Sequence, residues 1–202
     1  MIPAVILAAG ASSRMGRPKA LLPVGDAGDV FVTRLAATLL EGGAEDVVVV
    51  AGADAGAIRA RLNAAPRLVR IIENPEWELG QLSSLRVALA AVERPGVRAV
   101  MAIPVDMPLV AAKTVRALRE AYLGGEWLVV RPARGARHGH PVIFDRALFD
   151  ELRTGDPGRG ARAVVASHRG RVLDLELDED DTGAFIDVDT PEDYERYIRT
   201  TL

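Results

Sequence analysis

The chain has 202 residues, 49% of them hydrophobic, which is enough apolar material for one core and suits a single domain of ordinary size. A formal net charge of −3 gives no global signal for nucleic acid or an anionic membrane surface, so any anion site has to be local. There is no cysteine for disulfides or thiolate metal sites, no signal-peptide pattern, no repeat, and no apolar run of the roughly 20 residues a membrane span needs. The expectation is a soluble cytoplasmic protein with neither nucleic acid nor membrane as partner.

Apolar runs at Ala4–Ala8, Val47–Ala51, 68–72 and 99–103 alternate with stretches of helical spacing near 31–41, 55–64 and 81–93. This βαβα order predicts an α/β fold: a single-domain, doubly wound, mostly parallel sheet with helices on both faces and ligands at the carboxyl ends of its strands. Beyond Pro108 the order loosens. A helix near 111–123 is followed by strands at 127–131 and 141–144, helices at 146–153 and 159–167, strands near 171–177 and 184–188, and a last helix after Pro191. The chain reads as one domain, 1–202, with a nucleotide-binding half (1–108) and an acceptor-binding, sheet-completing half (109–202). Segments 132–140 and 154–160 read as mobile rim loops.

The loop after the first strand, LAAGASSRMGRPK (7–19), gathers small residues whose backbone amides can converge on an anion, and adds Arg14, Arg17 and Lys19. No acidic residue precedes Asp26. Only Lys19 and Lys113 among 25 basic residues are lysine, so a compact ammonium stands at 19 in a chain that otherwise uses arginine; it suits a phosphate contact. The alternative is a plain glycine-rich β-to-α turn. The spacing is neither GxxxxGK[ST] nor GxGxxG, which removes the usual support for ATPase and dinucleotide oxidoreductase readings.

This segment resembles the signature LAAGxSxRMGxxKxLLP of the MobA-like nucleotidyltransferases, in the LAAG form of the molybdenum-cofactor cytidylyltransferase branch. ENPEWELGQLSSL (73–85), PVDMP (104–108), GHPVIF (139–144) and DVDTPEDY (187–194) follow in the family's order. The resemblance implies a nucleotide-diphospho-sugar transferase-like sheet and magnesium-dependent transfer of a nucleotidyl group, favouring CTP, to a small phosphorylated acceptor such as molybdopterin, with release of pyrophosphate. Leu7, Ala8, Ala9, Gly10, Ser12, Arg14, Met15, Gly16 and Lys19 are then the expected nucleotide contacts of the loop. A molybdoenzyme or cofactor chaperone is a conceivable partner.

A triphosphate resists attack by another anion until a cation neutralises it, so carboxylates are expected near the loop. Asp106 follows the strand at 99–103 between two prolines and is the first expected ligand of Mg2+; the alternative is an Asx turn. Asp189, at the end of the predicted strand 184–188, is the second. Asp187 shares its face in an extended run, and capping of the final helix by Thr190 or Asp competes with the metal role. Lys19, Arg14 and Asp106 are the expected catalytic residues.

Gly80, Gln81, Ser83 and Ser84 open a predicted helix; they suit either capping or, by resemblance to the family's G-x-x-x-S-L element, contact with base and ribose. His140 corresponds to the acceptor-side element, or is an exposed loop histidine. GDPGRGAR (155–162) is two residues longer than the family's GDxGAR loop, which leaves the acceptor-side roles of Arg159 and Arg162 open. Rival functions are transfer from GTP or to a sugar phosphate, a non-catalytic nucleotide-binding chaperone or regulator, and an NAD-dependent oxidoreductase, the last opposed by the missing GxGxxG.

Overall fold

The computed structural model describes residues 1–25, 28–63 and 68–199. The first apolar run forms β1 (Ala4–Ala8), parallel to β2 (Val47–Ala51) on one side and β4 (Ala99–Pro104) on the other; β3 (Val69–Glu73) extends the sheet beyond β2. β1, β2 and β4 carry almost no polar side chain because both their faces are covered. Alternate residues supply the two cores. Ile6, Val49 and Met101 join α1 (Phe31–Glu41), α2 (Ala55–Leu62) and α4 (Ala112–Leu123). Val5, Val48 and Val100 join α3 (Gln81–Val92), α5 (Phe149–Thr154) and α6 (Ala161–Ser167). The predicted helix near 55–64 ends at Leu62, and its last position lies outside the described residues.

After α4 the chain forms β5 (Val129–Arg134) and returns in a hairpin through β6 (Arg137–His138) to β7 (Val142–Asp145), which inserts antiparallel between β4 and β5. β8 (Val172–Glu176) pairs parallel on the far edge of β5. The result is a mixed, mostly parallel sheet flanked by helices, an α/β architecture in one domain. The direction changes here because a tight turn replaces a helical crossover: Gly135, with φ +57°, takes the first position of a two-residue turn, as a type II′ hairpin requires.

Two expectations are corrected, the loop at 132–140 and the strand at 184–188. Segment 132–140 is largely this hairpin, whereas 155–160 is a loop between α5 and α6 in which the Asp156 carbonyl and carboxylate close a turn on the amides of Gly158, Arg159 and Gly160. The predicted strand at 184–188 does not form. Gly183–Phe185 is a 3-10 turn, and the chain beyond it crosses the carboxyl end of β4, where the Val188 amide donates to the Asp106 carbonyl at 2.8 Å. Both edges of β4 are already paired with β1 and β7, so this β-prone segment finds no free edge there. The final helix, α7 (Pro191–Tyr194), continues as a π-turn over Glu195–Arg199.

Candidate active site

The register Leu7↔Pro104 puts the loop after β1 beside the turn after β4. Ser12 organises that loop. It adopts φ +52°, its carbonyl accepts from Met15 and Gly16, and its hydroxyl accepts from the Lys19 amide at 3.0 Å. Met15, 5% exposed, is pinned in the core, so the chain folds back and Lys19 opens a 3-10 turn at the carboxyl edge of the sheet. The amides of Gly10, Ala11 and Ser13 have no partner among the described residues, which leaves them available to an anion.

Lys19 is 8% exposed, and its ammonium donates to Asp106 at 3.0 Å and to Asp189. Arg14, on the rim, pairs with the other oxygen of Asp189 at 2.8 Å. Burial by itself lowers the pKa of Lys19, but the hydrogen bonds and charges of Asp189 and Asp106 together outweigh it and hold the ammonium's pKa above its ordinary value. Burial pushes the Asp106 carboxyl up, Lys19 opposes that shift, and the charges of Asp189 and Asp187 add to it.

The competition between capping and a site role for Asp189 is resolved by its neighbours. Thr190 and Asp193 form a reciprocal capping box, Thr190 Oγ1 accepting from the Asp193 amide and Asp193 accepting from the Thr190 amide. Asp189 is thereby released toward Lys19. Asp187 is exposed and makes no hydrogen bond to this cluster; it acts on Asp106 only through space.

Among the described residues no group of three or more His, Cys, Asp or Glu is gathered around a point. What is present is a pair of carboxylates sharing one cation, with a third carboxylate adding negative potential. That donor set fits a hard divalent ion which takes two carboxylates and fills its remaining positions with water and phosphate oxygens, as magnesium does.

The loop, the turn after β4 and the start of α3 enclose a cavity of about 250 Å3, lined by Leu7, Ala9, Gly10, Ser12, Arg14, Lys19, Gly80, Gln81, Ser84 and Asp106, together with Ser13, one of the small loop residues, and Trp77, to which the sequence assigned no role. Ala8 and Met15 were expected as contacts, but their side chains are buried in the core because β1 and the loop need apolar anchors there. Gly16 (φ +71°) serves the turn and does not line the cavity.

The Ser83 side chain also turns inward. Asn74, 1% exposed, donates from its amide to Ser83 Oγ at 2.8 Å and Ser84 Oγ at 3.0 Å and accepts from the Glu76 amide. Ser83 spends its own proton on the Glu76 or Gly80 carbonyl, so it is fully used internally. Ser84 keeps a proton to offer the cavity. Asn74 thus braces the whole element; an Asn-Pro after a strand is its only sequence signal, and it reads equally as a turn.

A second cavity of about 570 Å3 adjoins the first through Leu7, Gln81 and Pro104. Its floor is apolar, including Leu82, Leu85, Val142 and Phe144, and its rim carries Arg131, His138, His140, Arg159 and Arg162 with no carboxylate among the lining residues. Arg131 and His138 are tied to Asp174, whereas the guanidinium groups of Arg159 and Arg162 have no partner among the described residues. His140 is partly buried; burial depresses its pKa to about 4, against a weaker opposing pull from Asp187, so the ring is neutral at physiological pH. Gly139 is required because a Cβ there would overlap the Ala184 carbonyl, and this close approach ties the GHP turn to the segment carrying Asp187 and Asp189.

Residues 4–172 match the MobA-like NTP transferase domain. Over 200 residues the chain is 34% identical to nicotine blue oxidoreductase of Paenarthrobacter nicotinovorans, covering 96% of this chain and 95% of the relative. It is 32% identical over 205 residues to molybdenum cofactor guanylyltransferase of Rhizobium meliloti, covering 95% and 88%. The crystal structure of Rv0371c from Mycobacterium tuberculosis superposes with a TM-score of 0.81 at 31% identity over 98% of both chains, and that protein has also been solved with manganese. With pattern, fold and relatives aligned along nearly its whole length, the protein belongs to the MobA-like NTP transferase family.

Proposed function

We propose that the protein transfers a nucleotidyl group from a metal-bound nucleoside triphosphate to the terminal phosphate of a molybdopterin-type acceptor, releasing pyrophosphate. The observation that carries this reading is the cluster of Lys19, Arg14, Asp106 and Asp189 beside three unpartnered loop amides. The amides of Gly10, Ala11 and Ser13 with Arg14 and Lys19 hold the triphosphate, and Gln81 and Ser84 face the base and ribose. Asp106 and Asp189 would hold a divalent ion, which supplies charge neutralisation of the phosphates when bound; the manganese complex of Rv0371c supports such an ion. The acceptor occupies the larger cavity, where a carboxylate-free rim and an apolar floor suit an anion with a ring system. Its phosphate attacks the α-phosphorus in line. The neutral His140 removes no proton, because a phosphate nucleophile carries none at neutral pH. Positioning and preorganised charge supply the rate.

The base is open to two signals. The LAAG form of the loop favours CTP, whereas the relatives named guanylyltransferase favour GTP, and the wider agreement of the latter makes GTP the donor of this proposal. Pyrophosphate release from each of four nucleotides, with magnesium or manganese and with molybdopterin or sugar phosphates, tests it. Release that requires both acceptor and metal is the expected result; tight nucleotide binding without turnover would favour a chaperone or regulator instead.

The relative named an oxidoreductase supports a second reading. A chain similar over nearly its full length carries that name, so the missing GxGxxG does not by itself exclude redox chemistry. Oxidation of a reduced nicotinamide cofactor by aromatic dye acceptors, with no pyrophosphate release under any condition, would replace the first proposal.

A further inference from the structure

Trp77 packs against neither of the two hydrophobic clusters, although it is one of only two tryptophans in the chain. It sits in a 3-10 turn (Trp77–Leu79) just before α3, partly exposed, and its indole makes no hydrogen bond among the described residues. An aromatic ring left outside the core forgoes the burial that normally holds it. Its place is nevertheless defined. The root of the side chain lies against Gly52 at the end of β2, where a Cβ would overlap both Trp77 and the Ala9 carbonyl, so only glycine admits the ring there.

Among the described residues Trp77 is the only aromatic one lining the cavity beside the charged cluster. Asp106 follows β4 and Gly52 follows β2, and these strands flank β1 on opposite sides. Two strand spacings separate them, about 10 Å. The charged groups therefore stand over one side of β1 and the indole over the other, about the span from the phosphates of a nucleotide to its base. Gly80 bares its Cα toward open space, and Gln81 and Ser84, whose hydroxyl keeps a proton to donate, line the same cavity.

We propose that Trp77 is the platform on which the nucleobase of the bound nucleotide stacks, with Gln81 and Ser84 reading its edge. This rests on the nucleotide-binding reading above and adds how the base is held: stacking gives affinity without discrimination, because every base has a π-face, and the polar groups give the choice of base.

Calorimetry and tryptophan fluorescence with GTP, CTP and inorganic tripolyphosphate, all with magnesium, test the proposal. In the Trp127→Phe variant Trp77 is the sole tryptophan, and both nucleotides are expected to quench its emission while tripolyphosphate, which has the charge but no base, does not. If that variant fails to fold, the same quenching in the wild type must vanish in Trp77→Phe. Trp77→Ala is expected to weaken both nucleotides at least about tenfold and by a similar factor, leaving tripolyphosphate unchanged, whereas Gln81→Ala alters the ratio between them. Nucleotide binding to Trp77→Ala within about twofold of wild type overturns the proposal and leaves the nucleotide-binding reading standing. Absence of nucleotide binding to the wild type overturns both.

Discussion

Replacing Lys19 by methionine keeps the reach of the side chain and removes its charge from between two carboxylates. The Lys19 side chain is 10% exposed and those of Asp106 and Asp189 are 21% and 20%. Taking one member from a fully buried pair costs about 3–5 kcal/mol, and the partial access of water to both carboxylates lowers this to about 1–3 kcal/mol. Asp189 retains Arg14, whereas Asp106 pairs with Lys19 alone among the described residues, so the loss falls on Asp106. Its pKa, already raised by burial and by the charges of Asp189 and Asp187, then rises further. Because protonation relieves the uncompensated charge, the penalty is expected to be larger at pH 7.5 than at pH 5. The wild-type contribution of Lys19, whose pKa is raised, is complete through neutral pH and is lost only as pH climbs through the folded-state value, above 10.5. Urea unfolding at pH 5 and 7.5 measures the stability, and pyrophosphate release measures turnover, which should fall by about two to three orders of magnitude. An unchanged midpoint at pH 7.5, or turnover within about threefold of wild type, refutes the reasoning.

His140 offers a pH test of opposite sign. Its folded pKa of about 4 lies below the ordinary 6.5, so the unfolded chain binds the extra proton and stability is lost as pH falls between those values, by about 3 kcal/mol in all. His140→Gln should flatten the dependence of the unfolding midpoint on pH from 7 to 4.5; a parallel dependence in both proteins sinks the assignment. Gly139→Ala forces a methyl group into the Ala184 carbonyl and should cost about 1–3 kcal/mol and most of the turnover, since the displaced segment carries Asp189; a fully stable, active variant would show that the GHP turn can move freely. Thr190→Ala removes the cap that frees Asp189, and a loss of about 1 kcal/mol is expected in thermal or urea unfolding. Arg159→Ala and Arg162→Ala should raise the acceptor KM while leaving nucleotide affinity intact, which initial-rate kinetics and calorimetry separate; weakened nucleotide binding instead would move the acceptor out of the larger cavity.

Much of the architecture was legible because its causes are local. Buried parallel strands must read as unbroken apolar runs, and β1, β2 and β4 do; α1 spans the residues that its periodicity marks. The glycine-rich loop and the turn at Asp106 announced themselves by position after a strand and by charge. The segment 184–188 misled for the same local reason, since its β-prone residues carry no record of whether a sheet edge is free. The inward turn of the Ser83, Ala8 and Met15 side chains was not legible, because a motif marks residues that build a cavity as readily as those that line it. Asn74 and Trp77 lie in the family-like segment 73–85 but drew no individual role, because an Asn-Pro turn and a lone tryptophan resemble ordinary structure.

Sequence alone therefore determined the βαβα order, the glycine-rich basic loop with its exceptional lysine, and the short roster of acids that could face it. Tertiary structure alone decided which acids do. Lys19 meets Asp106 across 87 residues and Asp189 across 170, pairings that no periodicity encodes. They arise because β1 and β4 are neighbours in the sheet and because the last segment, denied an edge of β4, crosses its end, while the box of Thr190 and Asp193 caps the final helix and leaves Asp189 to the site.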